Sequence, residues 1–343
     1  MTGNYKYIAL GLLFSLLITA CSKDGADGND VSKPNEEKKE IGIKPTSSAM
    51  SQGTSRAAVI TSNADLQSQD IKIYAYYNGT DTKYLDVQQL HYDSDAWKFW
   101  DGSSQLHYYW PIEGSVYDPS SANITVSSLD FVGYWPFDKP SYITTGPTYS
   151  YSAGTISFAS TMPTTTIETI DYMTSTSQTD FTEFMCAYLA AQTYADQGVS
   201  GLPMTFKHPF AYVKFNLSSA TTKNVTVTEI TINDLKTTGS CVFNGSTSTW
   251  SSQNGNATMK LTEELHRDET EATSPFLVIP NDYGATQKTL TVKITWREWD
   301  EEHNMTFTTP LDINWAAGYS YTYSLTITKD DLKVDIEKFT EQW

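Results

Sequence analysis

The stretch from Asp70 to Gly79 constrains this chain more than any other. Ile71-Lys72-Ile73-Tyr74-Ala75-Tyr76 alternates, so an extended backbone would put its apolar positions on one face, and Asn78-Gly79 supplies a tight hairpin turn. The rhythm returns at Leu85–Tyr92, Ala96–Trp100 and Leu106–Trp110, each set off by Asp, Ser or Gly. It restarts at Ala211–Leu217, Val225–Ile232, Leu290–Trp296 and Tyr319–Thr328. Short strands at this spacing predict an all-β sandwich or barrel rather than alternating strand–helix units. Composition agrees: Tyr (22 residues), Thr and Ser are abundant and long helix-forming runs are missing.

Two segments depart from simple alternation. Pro275-Phe276-Leu277-Val278-Ile279-Pro280 is continuously apolar, as expected of a strand covered on both faces. Phe181–Ala195 carries Phe181, Phe184, Met185 and Leu189 at helical spacing before Gly198, which predicts the one helix of the chain. At 343 residues the chain has room for two domains. The shift in composition puts their boundary near Gly198–Gly201, with bodies over 57–197 and 198–343.

The first 20 residues read as a secretory signal: Lys6, then an apolar run from Tyr7 to Thr19, too short to span a membrane stably. Ile18-Thr19-Ala20-Cys21 has the form of a bacterial lipobox, which makes Cys21 the lipidated first residue of the mature chain. Residues 21–39 are polar and suit a disordered tether. The remaining cysteines, Cys186 and Cys241, are expected as buried free thiols, since two without short spacing do not predict a bridge.

Next comes Glu40-Ile41-Gly42-Ile43-Lys44, a short strand with both isoleucines on one side, and then a Ser/Thr-rich run ending at Arg56. Only three arginines occur in the chain, and this one falls in its most exposed-looking segment. The expectation is that Ile41 and Ile43 sit in a groove of the folded body, and that a protease cutting after Arg56 releases them. At the other end, Leu332, Val334 and Ile336 alternate with Lys333, Asp335 and Glu337, giving a terminal strand that needs an edge to pair with.

No catalytic constellation is legible. There is no nucleophile elbow, phosphate loop or dinucleotide turn, and the five histidines are scattered, so no enzyme activity, metal or cofactor is expected. The net charge of −17 argues against nucleic acid as a partner. Glu298, Asp300, Glu301 and Glu302 form an acidic turn among Trp296, Trp299 and His303, and such aromatics can form a platform for glycans. A monomeric glycan-binding lipoprotein is therefore the alternative reading.

Several ordered pieces resemble the fimbrillin family, subunits of protease-assembled pili in Gram-negative anaerobes. They are the lipobox, Gly53-Thr54-Ser55-Arg56-Ala57, Tyr108-Tyr109-Trp110-Pro111 and Leu129–Pro136. Met204–Ala211, Phe276–Pro280 and Trp315–Tyr323 continue the series. The resemblance implies two transthyretin-like β-sandwich domains with Greek-key connections, and export as a lipoprotein to the cell outer membrane. It further implies cleavage of Arg56-Ala57 by an Arg-specific extracellular protease, removing the strand with Ile41 and Ile43. A strand from another subunit, equivalent to Leu332, Val334 and Ile336 here, would then fill the groove in a homo- or hetero-polymeric fimbria that adheres to host glycans or proteins. The chain ends soon after that strand, which leaves open whether it donates or closes its own domain.

Overall fold

The computed structural model describes residues 38–48, 60, 62–117, 124–162, 182–220, 225–255, 257–265, 270–272, 276–281, 288–298, 301–311, 313–327 and 334–342. Cys21, Arg56, Ala57, Trp299 and Leu332 lie outside them. The fold is all-β, and the alternation read from the sequence becomes a set of stacked sheets.

A six-stranded sheet runs in the order Met185–Gln192, Leu129–Trp135, Ile71–Tyr77, Lys83–Asp93, Ala96–Trp100, Gln105–Leu106. Ile71–Tyr77 and Lys83–Asp93 form the expected hairpin, with Gly79 at φ +75° in its turn. Every residue of Leu129–Trp135 is buried because the sheet is covered on both faces. Leu129, Phe131 and Trp135 enter one core with Ile71 and Ile73, while Val132 and Tyr134 enter another with Ile156, Phe158 and Phe243. The second core lies against a four-stranded sheet ordered Ser248–Asn254, Thr238–Phe243, Thr155–Thr161, Ile143–Ser150.

The later half forms a sandwich. A five-stranded sheet contains Ala211–Ser219, Tyr319–Ile327 and Val334–Gln342 as neighbours, and a four-stranded sheet contains Val225–Leu235, Lys288–Glu298 and Glu301–Leu311. Val213, Phe215, Tyr323 and Leu325 face Val227, Ile230, Val292 and Ile294 in a third core. The apolar run Phe276–Val278 pairs with Ala211–Ser219 and does serve two cores, Leu277 in one and Val278 in the other.

Sheet membership does not follow the division at Gly198–Gly201. Leu202–Phe206 turns back over the six-stranded sheet before the chain reaches the later sandwich. Thr238–Phe243 pairs with Thr155–Thr161.

The helix expected over Phe181–Ala195 does not form. Met185–Gln192 is an edge strand of the six-stranded sheet, and only Tyr194–Asp196 makes a short 3-10 turn. Phe184, Met185, Cys186 and Ala187 are all buried, with Met185 and Ala187 in one core and Phe184 and Cys186 in the other. A strand with apolar side chains on both faces satisfies a helical period as readily as a strand period. The regular helix among the described residues is elsewhere, at Asn63–Gln67, where the Ser62 hydroxyl caps the Asp65 N–H.

Candidate functional site: a strand slot in the first core

Residues 39–48 lie across the first core as an extended inserted segment, a β-strand over Ile43–Ser47, and Ile41 and Ile43 are each 2% exposed. Both join a core that includes Leu66, Ile71, Phe99 and Met204, so the alternation of Ile41, Gly42 and Ile43 turns both isoleucines inward. Lys44 points outward and is exposed. Full burial of each isoleucine is worth roughly 1.5–3 kcal/mol.

The two edges of this strand are held differently. Towards one side, the Ile41 N–H donates to the Tyr108 carbonyl at 2.7 Å and the Trp110 N–H donates to the Lys39 carbonyl at 2.8 Å. Towards the other, Ile43–Ser47 runs parallel to Leu202–Phe206, with Ile43 opposite Leu202 and Ser47 opposite Phe206. The Leu202 N–H donates to the Gly42 carbonyl at 2.7 Å, and the Ser48 N–H to the Phe206 carbonyl at 3.1 Å. A parallel strand bonds through alternate residues, so Ile43, Pro45 and Ser47 turn their backbone groups to the far edge. Pro45 suits that edge because it has no N–H to satisfy. The Ser47 N–H there donates to Asn63 Oδ1 at 2.9 Å. Beside the strand runs an open trough of about 520 Å³ lined by Pro45, Asn63, Trp97 and Phe99 among others, so solvent reaches along the strand.

Side chains add further ties. The Gln197 amide oxygen accepts from the Gly42 N–H at 2.8 Å and from Trp110 Nε1 at 2.8 Å, and Gln197 Nε2 donates to the Glu40 carbonyl at 3.1 Å. His107 Nδ1 lies 2.7 Å from Glu40 Oε1, with both side chains 45% exposed. The ammonium of Lys39 sits 4.4 Å from the centre of the Tyr194 ring.

The floor of the slot depends on one glycine. A Cβ on Gly133 would stand 2.8 Å from Ile73 Cδ1 and 2.8 Å from Phe206 Cζ, so the bare backbone there lets Phe206 and Met204 lie on the sheet. Phe206 and Met204 in turn form the parallel partner of the inserted strand.

At the far end of the chain, Val334–Gln342 pairs antiparallel with Tyr319–Ile327 along all nine of its residues. Val334 stands opposite Ile327 and Ile336 opposite Leu325. This strand is the outer member of its sheet.

Elsewhere the named candidates behave as structural groups. The indole of Trp296 packs against the third core and is stacked on the His303 ring, 5.3 Å between centres and 16° between planes. That stack covers ring surface a glycan platform would need. Cys186 and Cys241 are both free and buried, and burial pushes the Cys241 thiol up to about 12. Among the described residues, no group of three or more His, Cys, Asp or Glu side chains is placed to hold a metal ion.

A family model described as fimbrillin-like matches residues 55–343. The chain belongs to the fimbrillin-like family. Members of this family are structural pilus subunits and not enzymes, which places the protein at the cell surface as a fimbrial component. Two solved structures share the fold. One is a fimbrial protein from Bacteroides vulgatus, 14% identical, covering 89% of this chain and 99% of that chain with a TM-score of 0.55. Another is a candidate cell adhesion protein from Bacteroides ovatus, 16% identical, covering 90% and 99% with a TM-score of 0.52. No curated protein matches the chain.

Sequence reasoning missed several residues that build the slot. Leu202, Met204 and Phe206 alternate as a strand does, but nothing local says that this segment pairs in parallel with residues 43–47. Gln197 gave no signal at all, being one polar residue in a turn.

Proposed function

We propose that this protein is a fimbrial subunit exported as a lipoprotein through Cys21 and held on the outer membrane until an Arg-specific protease cuts the Arg56-Ala57 bond. The cut frees residues 39–48 from their covalent tie to the folded body, and a strand from another subunit takes their place, extending a fimbria that supports adhesion. The observation that supports this reading is the arrangement of the slot. A short segment ahead of Arg56 supplies two buried isoleucines and parallel backbone pairing to a core built otherwise from residues beyond it.

Energetics favour replacement over vacancy. Losing the strand exposes roughly 3–6 kcal/mol of isoleucine burial and leaves the edges at Tyr108–Trp110 and Leu202–Phe206 without partners. An unpaired edge beside an apolar trench is a template for an incoming strand. Cutting therefore decides when exchange begins, and the replacement strand restores what is lost.

The test is direct. Lipid-free protein, mixed with other fimbrial subunits and treated with an Arg-specific protease, should begin at Ala57 on N-terminal sequencing and form oligomers on size-exclusion chromatography. Equal oligomerisation by an Arg56→Ala variant would sink the proposal.

A further inference from the structure

The slot reads its occupant at one position more closely than elsewhere, and that position is Gly42. A Cβ added to Gly42 would stand 3.3 Å from Gly201 Cα and 3.5 Å from Gln197 Nε2. Gly201 faces it with φ +104°, and a Cβ on Gly201 would stand 3.0–3.1 Å from the backbone atoms of Gly42 and Ile43. Two glycine backbones thus pass closely against each other: a side chain at Gly42 would push Gly201 back by a few tenths of an ångström, and one at Gly201 would be strained at its positive φ. At the same place the Gln197 amide acts as a short strand edge: its oxygen accepts the Gly42 N–H and its nitrogen donates to the Glu40 carbonyl. The Trp110 indole donates to the same oxygen and fixes the orientation of the amide. The hydrogen bonds of Gln197 to the inserted strand all go to its backbone, so they would hold any strand in this register.

We propose that Gln197 and Gly201 are specificity-determining residues of the slot, selecting an extended segment with the pattern apolar–glycine–apolar. Ile41-Gly42-Ile43 satisfies it. The partner is then a strand of another protein carrying a glycine between two inward-facing apolar residues. The chain's own terminal strand lacks it: Lys333 stands between Leu332 and Val334, and Asp335 between Val334 and Ile336. That strand is also fully paired with Tyr319–Ile327, and to enter a neighbour's slot it would first have to leave that sheet. Self-polymerisation through the tail is disfavoured on both counts. The identity of the partner rests on the strand-exchange reading; the role of the two residues in gripping the slot strand does not.

Amide hydrogen exchange on the intact chain tests the grip. Gly42→Val and Gln197→Leu should each raise exchange at residues 41–47 by at least about tenfold, as expected when about 1.4 kcal/mol or more is lost locally. Lys44→Val, at an exposed neighbouring position, should not. Should Gly42→Val fail to fold, Gly42→Ala and Gln197→Leu carry the same comparison. Equal exchange in the slot and control variants would overturn the proposal. Protease-trimmed protein then tests selection, with labelled peptides spanning 38–48, the same peptide bearing Gly42→Val, and residues 330–343. Uptake of the first alone supports the selection rule, and equal uptake of all three overturns it. If trimmed protein takes up none and keeps its own strand, strand exchange fails, and the role of Gln197 and Gly201 is decided by the exchange data.

Discussion

Glu183 and His208 form a hydrogen-bonded pair in which neither side chain has any exposed surface. Glu183 also accepts the Ile60 N–H at 3.4 Å, so the pair ties down the first described residue after the segment that contains Arg56. Tyr142 and Tyr212 are the other titratable groups placed to feel the carboxylate, and burial together with that carboxylate holds both phenols well above their usual range.

The pair makes stability depend on pH in a stated direction. Burial raises the Glu183 carboxyl above its usual range, and the facing imidazole only partly opposes this. A raised carboxyl binds its proton more tightly in the folded than in the unfolded chain. Its contribution to stability is therefore present below the ordinary glutamate value and is lost as pH rises through the raised one. Glu183→Gln has no such ionisation. Denaturant titrations from pH 4 upward should show the difference between variant and parent moving in the variant's favour as pH rises. A constant difference would refute the assignment.

The packing at Gly133 carries a second prediction. A methyl group there meets Ile73 and Phe206 at 2.8 Å, within a core that has no flexible surface chain to move aside. Gly133→Ala should cost about 1–3 kcal/mol, the usual range for overpacking. Trimming the neighbour in Gly133→Ala/Phe206→Leu should recover part of that loss, as coupled sites do. Urea denaturation of the four proteins of the cycle measures it, and additive losses would show that the two residues do not meet.

How much of this was legible in the sequence follows from the range of the interactions. Ile71–Tyr77, its turn at Asn78-Gly79 and the inward set of Ile41 and Ile43 come from local alternation, and local alternation is what a sequence displays. Met185–Gln192 was misread because apolar residues on both faces of a strand erase the period that distinguishes it from a helix. The parallel pairing of Ile43 with Leu202 joins segments more than 150 residues apart in the chain, and no pattern in either names the other. Gln197 acts through its amide alone, which any glutamine could supply.

Asp130 shows what a buried carboxylate can organise. It is 2% exposed and accepts three hydrogen bonds: from Asn78 Nδ2 at 2.8 Å, the Ala191 N–H at 2.7 Å and the Tyr149 hydroxyl at 2.6 Å. These donors belong to a hairpin turn, an edge strand and the opposing sheet. Asp130→Ala leaves all three without their acceptor and should destabilise by about 3–5 kcal/mol. Tyr149→Phe removes one donor and should cost about 0.5–1.5 kcal/mol. Thermal denaturation of both variants checks the order, and a Tyr149→Phe loss as large as that of Asp130→Ala would contradict it.

The thiols give a prediction that needs no mutation. Burial raises both Cys186 and Cys241 far from the range in which a thiolate forms at neutral pH. Folded protein from which Cys21 has been removed should react with a disulfide-exchange reagent at pH 8 only as fast as it unfolds. Rapid reaction without denaturant would mean that a path from solvent reaches one of the two.

Ile43 decides whether the slot strand is bound as part of the core or merely lies on it. It is 2% exposed, whereas Lys44, the next residue, is exposed. Ile43→Ala should cost about 2–5 kcal/mol if the cavity persists, and Lys44→Ala should stay within about 0.5 kcal/mol. The form of the loss is informative. If the strand leaves the slot before the rest unfolds, Ile43→Ala will raise amide exchange at residues 41–47 while leaving the global midpoint close to that of the parent. If the strand and the six-stranded sheet unfold together, the midpoint falls by the full amount. The first outcome is expected, because this strand is held by short pairings at its two edges while Leu129–Trp135 beneath is paired on both sides and buried on both faces. An exchange rate at residues 41–47 that does not change in Ile43→Ala would mean that the isoleucine contributes nothing to holding the strand.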